Sequence, residues 1–126
     1  MISALVNTTV SFDRFWRWIA EHPHCVLRAG CAECALFDHE NFHWDFSDEE
    51  GQAIVQVLFG KQTVGEMLIE RSEVLSVQAS IDAEEADKGL WLFEVMAGTK
   101  EEPFVAWHFL MAHSMEHAHQ HTLLKH

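Results

Sequence analysis

Ligand-type and nucleophilic side chains are concentrated in two parts of this 126-residue chain. The stretch from His22 to Phe46 holds all three cysteines and four of the ten histidines, and six more histidines fall in the last 24 residues. Three spacings there could carry chemistry. His39-Glu40-Asn41-Phe42-His43 matches the HExxH letters of zinc proteases, in which two imidazoles hold Zn²⁺ and the glutamate acts as general base. That chemistry needs a helix, because only i, i+4 positions on one helical face aim both rings at one ion. Here the residues lie between two apolar runs, where Asp38-His39-Glu40-Asn41 reads as a hairpin turn. We therefore expect no protease, although His39 and His43 stay among the candidate ligands.

The reversed letters HxxEH occur at His113-Ser114-Met115-Glu116-His117, on a predicted helix. His113, His117 and His121 fall at i, i+4 and i+8, so two or three imidazoles share a face. The corresponding protease pattern requires a further ligand well downstream, and nine residues follow His117. What remains is a simple metal site on His113, His117 and His121, completed by Glu116 or a symmetry mate. The plainer reading is a solvated histidine-rich tail.

Cys31-Ala32-Glu33-Cys34 is a single CxxC. With Cys25 and either His22 or His24 it would make a tetrahedral Cys₃His zinc site. Cys34, however, lies in an apolar run, where small buried cysteines are common core residues. A thioredoxin-type role needs the motif at a helix N-terminus, and here a strand follows. Three cysteines in a chain expected to be intracellular argue against a disulfide framework.

The elements that must position these groups can be read from periodicity. Residues 1–10 are a weak strand or a loose arm. Ser11 is an N-cap, and Phe12, Phe15, Trp16 and Ile19 form one apolar helical stripe that ends before Pro23. Cys25–Arg28, Cys34–Phe37 and the alternating Phe42, Trp44 and Phe46 predict three strands. Ser47-Asp48-Glu49-Glu50 reads as a capping box for a helix to Phe59, closed by Gly60. The β-branched Ile54-Val55-Gln56-Val57 leaves a strand open over the same residues. A second capping box, Thr63-x-x-Glu66, predicts a short helix carrying Val64, Met67 and Leu68. Leu75–Ile81 and Gly89–Ala97 then form an antiparallel hairpin across a polar loop, Asp82 to Lys88. Pro103 opens a final helix that is apolar nearly all round from Phe104 to Ala112, as in an element deep in the core or shared with a second subunit.

The expected architecture is therefore a single α+β domain over residues 1–126, an antiparallel sheet with flanking helices in the order α-β-β-β-α-α-β-β-α, with 114–126 as a fraying tail. That order, small size and strong acidity resemble the small dimeric chaperones of type III secretion systems, a likeness of topology and charge that carries over no binding residues.

Composition bounds the function. Hydrophobic residues make up 48% and charged residues 22%, which fits a folded chain. A net charge of −12 disfavours nucleic-acid or anionic-membrane partners, since both need basic patches. No apolar run approaches the ~20 residues of a membrane span, and no signal peptide is evident, so a soluble cytoplasmic protein is expected. Nine Phe and five Trp with no Tyr point to burial. Trp16, Trp44, Trp91 and Trp107 read as core, while Trp18 and Phe104, Trp107 and Met111 of the final helix are the interface candidates. Two functions follow. The first is a non-enzymatic protein-binding domain, a homodimer with an acidic surface and exposed apolar patches. The second is a transition-metal protein, with zinc or nickel on imidazole and thiolate ligands, which could extend to a small metal-dependent enzyme.

Overall fold

The backbone pairs almost entirely through β-ladders. In the computed structural model, which describes residues 8–82, 89–113 and 115, the described residues contain nine strands and one α-helix. They are β1 (Thr8–Val10), α1 (Phe12–Ala20), β2 (Val26–Cys31), β3 (Cys34–Phe37), β4 (Phe42–Glu49), β5 (Gln52–Phe59), β6 (Gln62–Glu70), β7 (Ser76–Ile81), β8 (Trp91–Gly98) and β9 (Pro103–Met111), with 3₁₀ turns at Pro23–Cys25 and Arg71–Glu73. All ladders are antiparallel. One sheet has six strands in the order β1-β7-β8-β9-β2-β3, and the other has three in the order β4-β5-β6.

The α+β expectation with flanking helices is corrected by this arrangement, and the likeness to the type III secretion chaperones falls with the topology on which it rested. Each lost helix has a physical reason. Ser47, Asp48 and Glu49 continue β4, and Glu50-Gly51 make the turn into β5 with φ of 52° and 85°. Both values lie in the left-handed region that a tight hairpin between Glu49 and Gln52 requires. Beyond it Ala53, Val55 and Val57 are buried at a spacing of two, which is the strand alternative for residues 51–59. Gly60, at φ 65°, opens the next turn. Thr63 and Glu66 then lie within β6 instead of capping a helix, with Met67 and Ile69 facing the core and Val64 and Leu68 exposed. Pro103 is the first residue of β9, opposite Gly98, where its missing N–H costs least. The final apolar run is a strand flanked on both sides, by β8 and β2. Its second half, with Trp107, Phe109, Leu110 and Met111, is buried, while Phe104 and Val105 are apolar but exposed, so the run shows no polar alternation.

The first helix follows its sequence signals. The Ser11 hydroxyl accepts the Arg14 amide, and Phe12, Phe15, Trp16 and Ile19 are its buried residues. Phe15 packs on Phe93 of β8 and Phe109 of β9, with ring centroids 5.1 and 5.3 Å away. Trp16 meets Phe46 of β4 edge-on at 5.4 Å and donates its indole N–H to Asp48. One face of α1 thus covers the larger sheet while its flank holds the smaller one. Arg71 secures the corner, pairing with Asp13 of α1 and Asp48 of β4 at 2.7 Å each and lying 5.0 Å over the Phe12 ring. The indole N–H of Trp107 donates to the Leu68 carbonyl at 2.9 Å, joining β9 to β6. Buried residues of both sheets form one hydrophobic cluster with α1. Thr8–Val10, expected as weak strand or loose arm, pair with β7. Residues 1–7, most of the Asp82–Lys88 loop and the expected tail at 114–126, Met115 apart, lie outside the described residues.

Candidate functional sites

The candidate ligands fall into three separate places. The first is the HExxH segment. His39 and Glu40 occupy the connection between β3 and β4, and His43 is the second residue of β4. The turn is held by the Phe42 amide donating to the His39 carbonyl and the Asn41 amide donating to His39 Nδ1. His39 and His43 line a shallow cleft of about 180 Å³ together with His24 and Glu40. The helical face that a zinc protease needs is not present, and among the described residues no three His, Cys, Asp or Glu side chains converge as a metal site.

The second place is the CxxC. Cys31 and Cys34 are the last pair of the β2–β3 ladder, flanking the two-residue turn Ala32-Glu33, with their sulfurs 3.3 Å apart. Both are free thiols and half-buried against the core. Burial, helped by the adjacent Cys31, pushes the Cys34 thiol up to about 11. Cys25 does not join them in a three-ligand group.

Cys25 belongs to the third place, which sequence spacing does not reveal. It ends the 3₁₀ turn after α1, and its sulfur lies 2.9 Å from Nε2 of His113, just beyond β9. β2 and β9 are neighbours, and the Ala112 amide donates to the Cys25 carbonyl, which brings together residues 88 apart in sequence. His22 and Trp18 complete the cluster. The His22 ring stacks on Trp18 at 4.8 Å and meets His113 edge-on at 5.5 Å. His22 Nδ1 lies 2.7 Å from the Trp18 carbonyl. A carbonyl only accepts, so Nδ1 carries the proton and Nε2 of neutral His22 keeps its lone pair. Burial raises the Cys25 thiol, which holds its proton more tightly beside the His113 ring. Among the described residues, Nδ1 of His113 and the indole N–H of Trp18 are buried with no hydrogen-bond partner. Among the described residues no acidic side chain orients His113, as one would orient the base of a cysteine-nucleophile triad. Glu116, His117 and His121 lie outside the described residues.

The four interface candidates are dispersed. Trp18 is half-buried in the cluster just described and packs on Phe93. Trp107 and Met111 point into the core, and Phe104 is 57% exposed at the start of β9. A different apolar surface stands out at the seam where the edge strands β3 and β6 approach. Leu36 lies against Gly65 there, so closely that a Cβ on Gly65 would come within 2.7 Å of Leu36 Cδ2. A cleft of about 240 Å³ opens beside it, lined by Ala35, Leu36, Phe37, Phe42, Val57, Val64 and Gly65. Phe37 is 60% exposed and Val64 48%, and Phe59 is 53% exposed next to Phe42. Comparison with known protein families, curated proteins and solved structures finds no match to this chain.

Proposed function

We propose that this chain is a non-enzymatic protein-binding domain whose partner is a second copy of itself, docked at the β3–β6 seam. The observation that carries the reading is the lining of that cleft. All seven residues are apolar or glycine, on a chain whose formal charge is −12. Exposed apolar patches rimmed by polar residues mark interaction surfaces in soluble proteins. A basic partner would be drawn to the acidic surface elsewhere. Two chains of like charge repel, and a surface without charged side chains is where they meet at least cost. Light scattering of the eluted full chain tests this against a Phe37→Asp variant. The expected result is a dimer for the wild type and a monomer for the variant, while Phe104→Asp, which does not line the cleft, stays dimeric. A wild type that is monomeric throughout ends the reading.

A second reading is favoured by the contact between Cys25 and His113. Thiolate and imidazole bound to one tetrahedral zinc sit roughly 3.5 Å apart, from bond lengths of ~2.3 and ~2.0 Å. The observed 2.9 Å needs only a small opening to admit the ion. On this reading the chain is a zinc- or nickel-binding protein. Metal analysis of untagged protein and of a Cys25→Ser/His113→Ala variant tests it. Stoichiometric metal lost in the variant supports it, and no metal in any preparation rules it out.

A further inference from the structure

We propose that Cys31 and Cys34 are a thiol–disulfide exchange site, forming a reversible bridge across the β2–β3 hairpin with a low-molecular-weight disulfide as oxidant. The two residues face each other in the ladder, and their sulfurs already lie 3.3 Å apart. Directly opposed residues of an antiparallel pair have Cα atoms about 4.5–5.5 Å apart, inside the range of about 4.4–6.8 Å that a disulfide spans. Closing the bond therefore asks for side-chain rotation without a shift of the strands. Cys25 does not compete, since its sulfur is engaged with His113.

The two thiols act in turn. The attacking species is the thiolate, and either cysteine can supply it. With Cys31 attacking first, two exchanges close the bridge. The Cys31 thiolate attacks one sulfur of oxidised glutathione and expels a glutathione thiolate, leaving Cys31 in a mixed disulfide. Cys31 then no longer bears the charge and hydrogen bond that help hold the proton on Cys34. Cys34 releases that proton to solvent, attacks the Cys31 sulfur and expels the second glutathione. In net terms two protein thiols and one oxidised glutathione become one protein disulfide and two reduced glutathiones. The closed loop is short, so the bridge adds little stability through chain entropy and reduced glutathione reopens it.

The test uses the full chain equilibrated in glutathione redox buffers, quenched by alkylation and mapped by mass spectrometry. Oxidising buffer is expected to give a species lighter by two hydrogens, with Cys31 and Cys34 both protected and Cys25 still alkylated. Excess reduced glutathione restores all three thiols, and Cys25→Ser leaves the result unchanged. Cys34→Ser is expected to stop at a glutathione adduct on Cys31. Continued alkylation of Cys31 and Cys34 in oxidised glutathione would overturn the proposal, as would a bridge that includes Cys25. Both readouts come from the wild-type chain, so a variant that fails to fold does not blunt the test.

Discussion

Replacing Phe15 by alanine removes the contact that joins the only helix of the described residues to the larger sheet, and its cost can be worked out beforehand. Phe15 is fully buried. Its ring lies 5.1 Å from Phe93 and 5.3 Å from Phe109, with Phe12 and Trp18 each at 6.4 Å. An aromatic side chain buries roughly 150–250 Å², which at about 25 cal/mol per Å² gives roughly 4–6 kcal/mol as an upper bound. Alanine retains part of that area, and the cavity adds back a similar amount, so the loss should fall within the 3–5 kcal/mol typical of buried Phe→Ala changes. Domains of this size are stable by about 5–15 kcal/mol, so the variant loses roughly a fifth or more of its stability. Urea unfolding followed by tryptophan fluorescence should show the midpoint falling steeply at unchanged slope. A loss below about 1 kcal/mol would mean that α1 does not pack on β8 and β9 as described.

Two further predictions concern charge. Arg71→Ala removes both carboxylate pairs and the stacking over Phe12. Partial burial opposes the guanidinium charge, but Asp48 and Asp13 together outweigh it and raise its affinity for the proton. The carboxylates are exposed, so each pair counts for about 0.2–1 kcal/mol, and the total should be about 1–3 kcal/mol with the cation–π contact. Urea unfolding should show this loss shrinking with added salt, and a salt-independent loss would contradict it. His108 is pulled below the usual histidine range, first by burial and then by Arg28, with Glu94 acting the other way. The unfolded chain therefore binds that proton more readily than the folded one. Stability contributed at this position is present above about pH 6.5 and declines as pH falls toward the lowered folded value. His108→Gln should be less acid-sensitive than the wild type in urea unfolding between pH 5 and 7, and parallel curves would refute the assignment.

Legibility in the sequence followed the range of the interaction. Ser11 with its stripe of Phe12, Phe15, Trp16 and Ile19 was readable because a cap and a 3.6-residue period are local. The β7–β8 hairpin and the start of β4 were readable from alternation. Residues 47–70 misled because the letters of a capping box are short and tolerant. Serine, aspartate and glutamate suit an exposed strand end as well as a first helical turn, and Glu50-Gly51 is equally a hairpin turn. The buried Ala53, Val55 and Val57 carried the correct period of two, but the capping letters outweighed it. β9 was opaque for another reason: its exposed residues Phe104 and Val105 are as apolar as its buried ones, so no polar side shows a period. At the candidate sites, Cys31 and Cys34 were visible as a motif. The meeting of Cys25 with His113 depends on β2 pairing with β9, and nothing near either residue signals it.

The central claim, self-association through an uncharged seam, makes a prediction about salt that separates it from attraction to a basic partner. Each Phe37 occurs twice in a two-fold dimer, so a hot-spot loss of about 2 kcal/mol per site for Phe37→Asp becomes about 4 kcal/mol, roughly a thousandfold in Kd. Screening of the repulsion between two chains of charge −12 should tighten the wild-type dimer as ionic strength rises from about 0.01 to 0.1 M, where the Debye length falls from about 30 to 10 Å. Sedimentation equilibrium across that range is the measurement that decides. The account predicts a species of twice the 14.5 kDa chain mass whose Kd falls with salt and whose dimerisation Phe37→Asp abolishes. A monomer under all conditions, or a dimer that loosens with salt and survives Phe37→Asp, would contradict it.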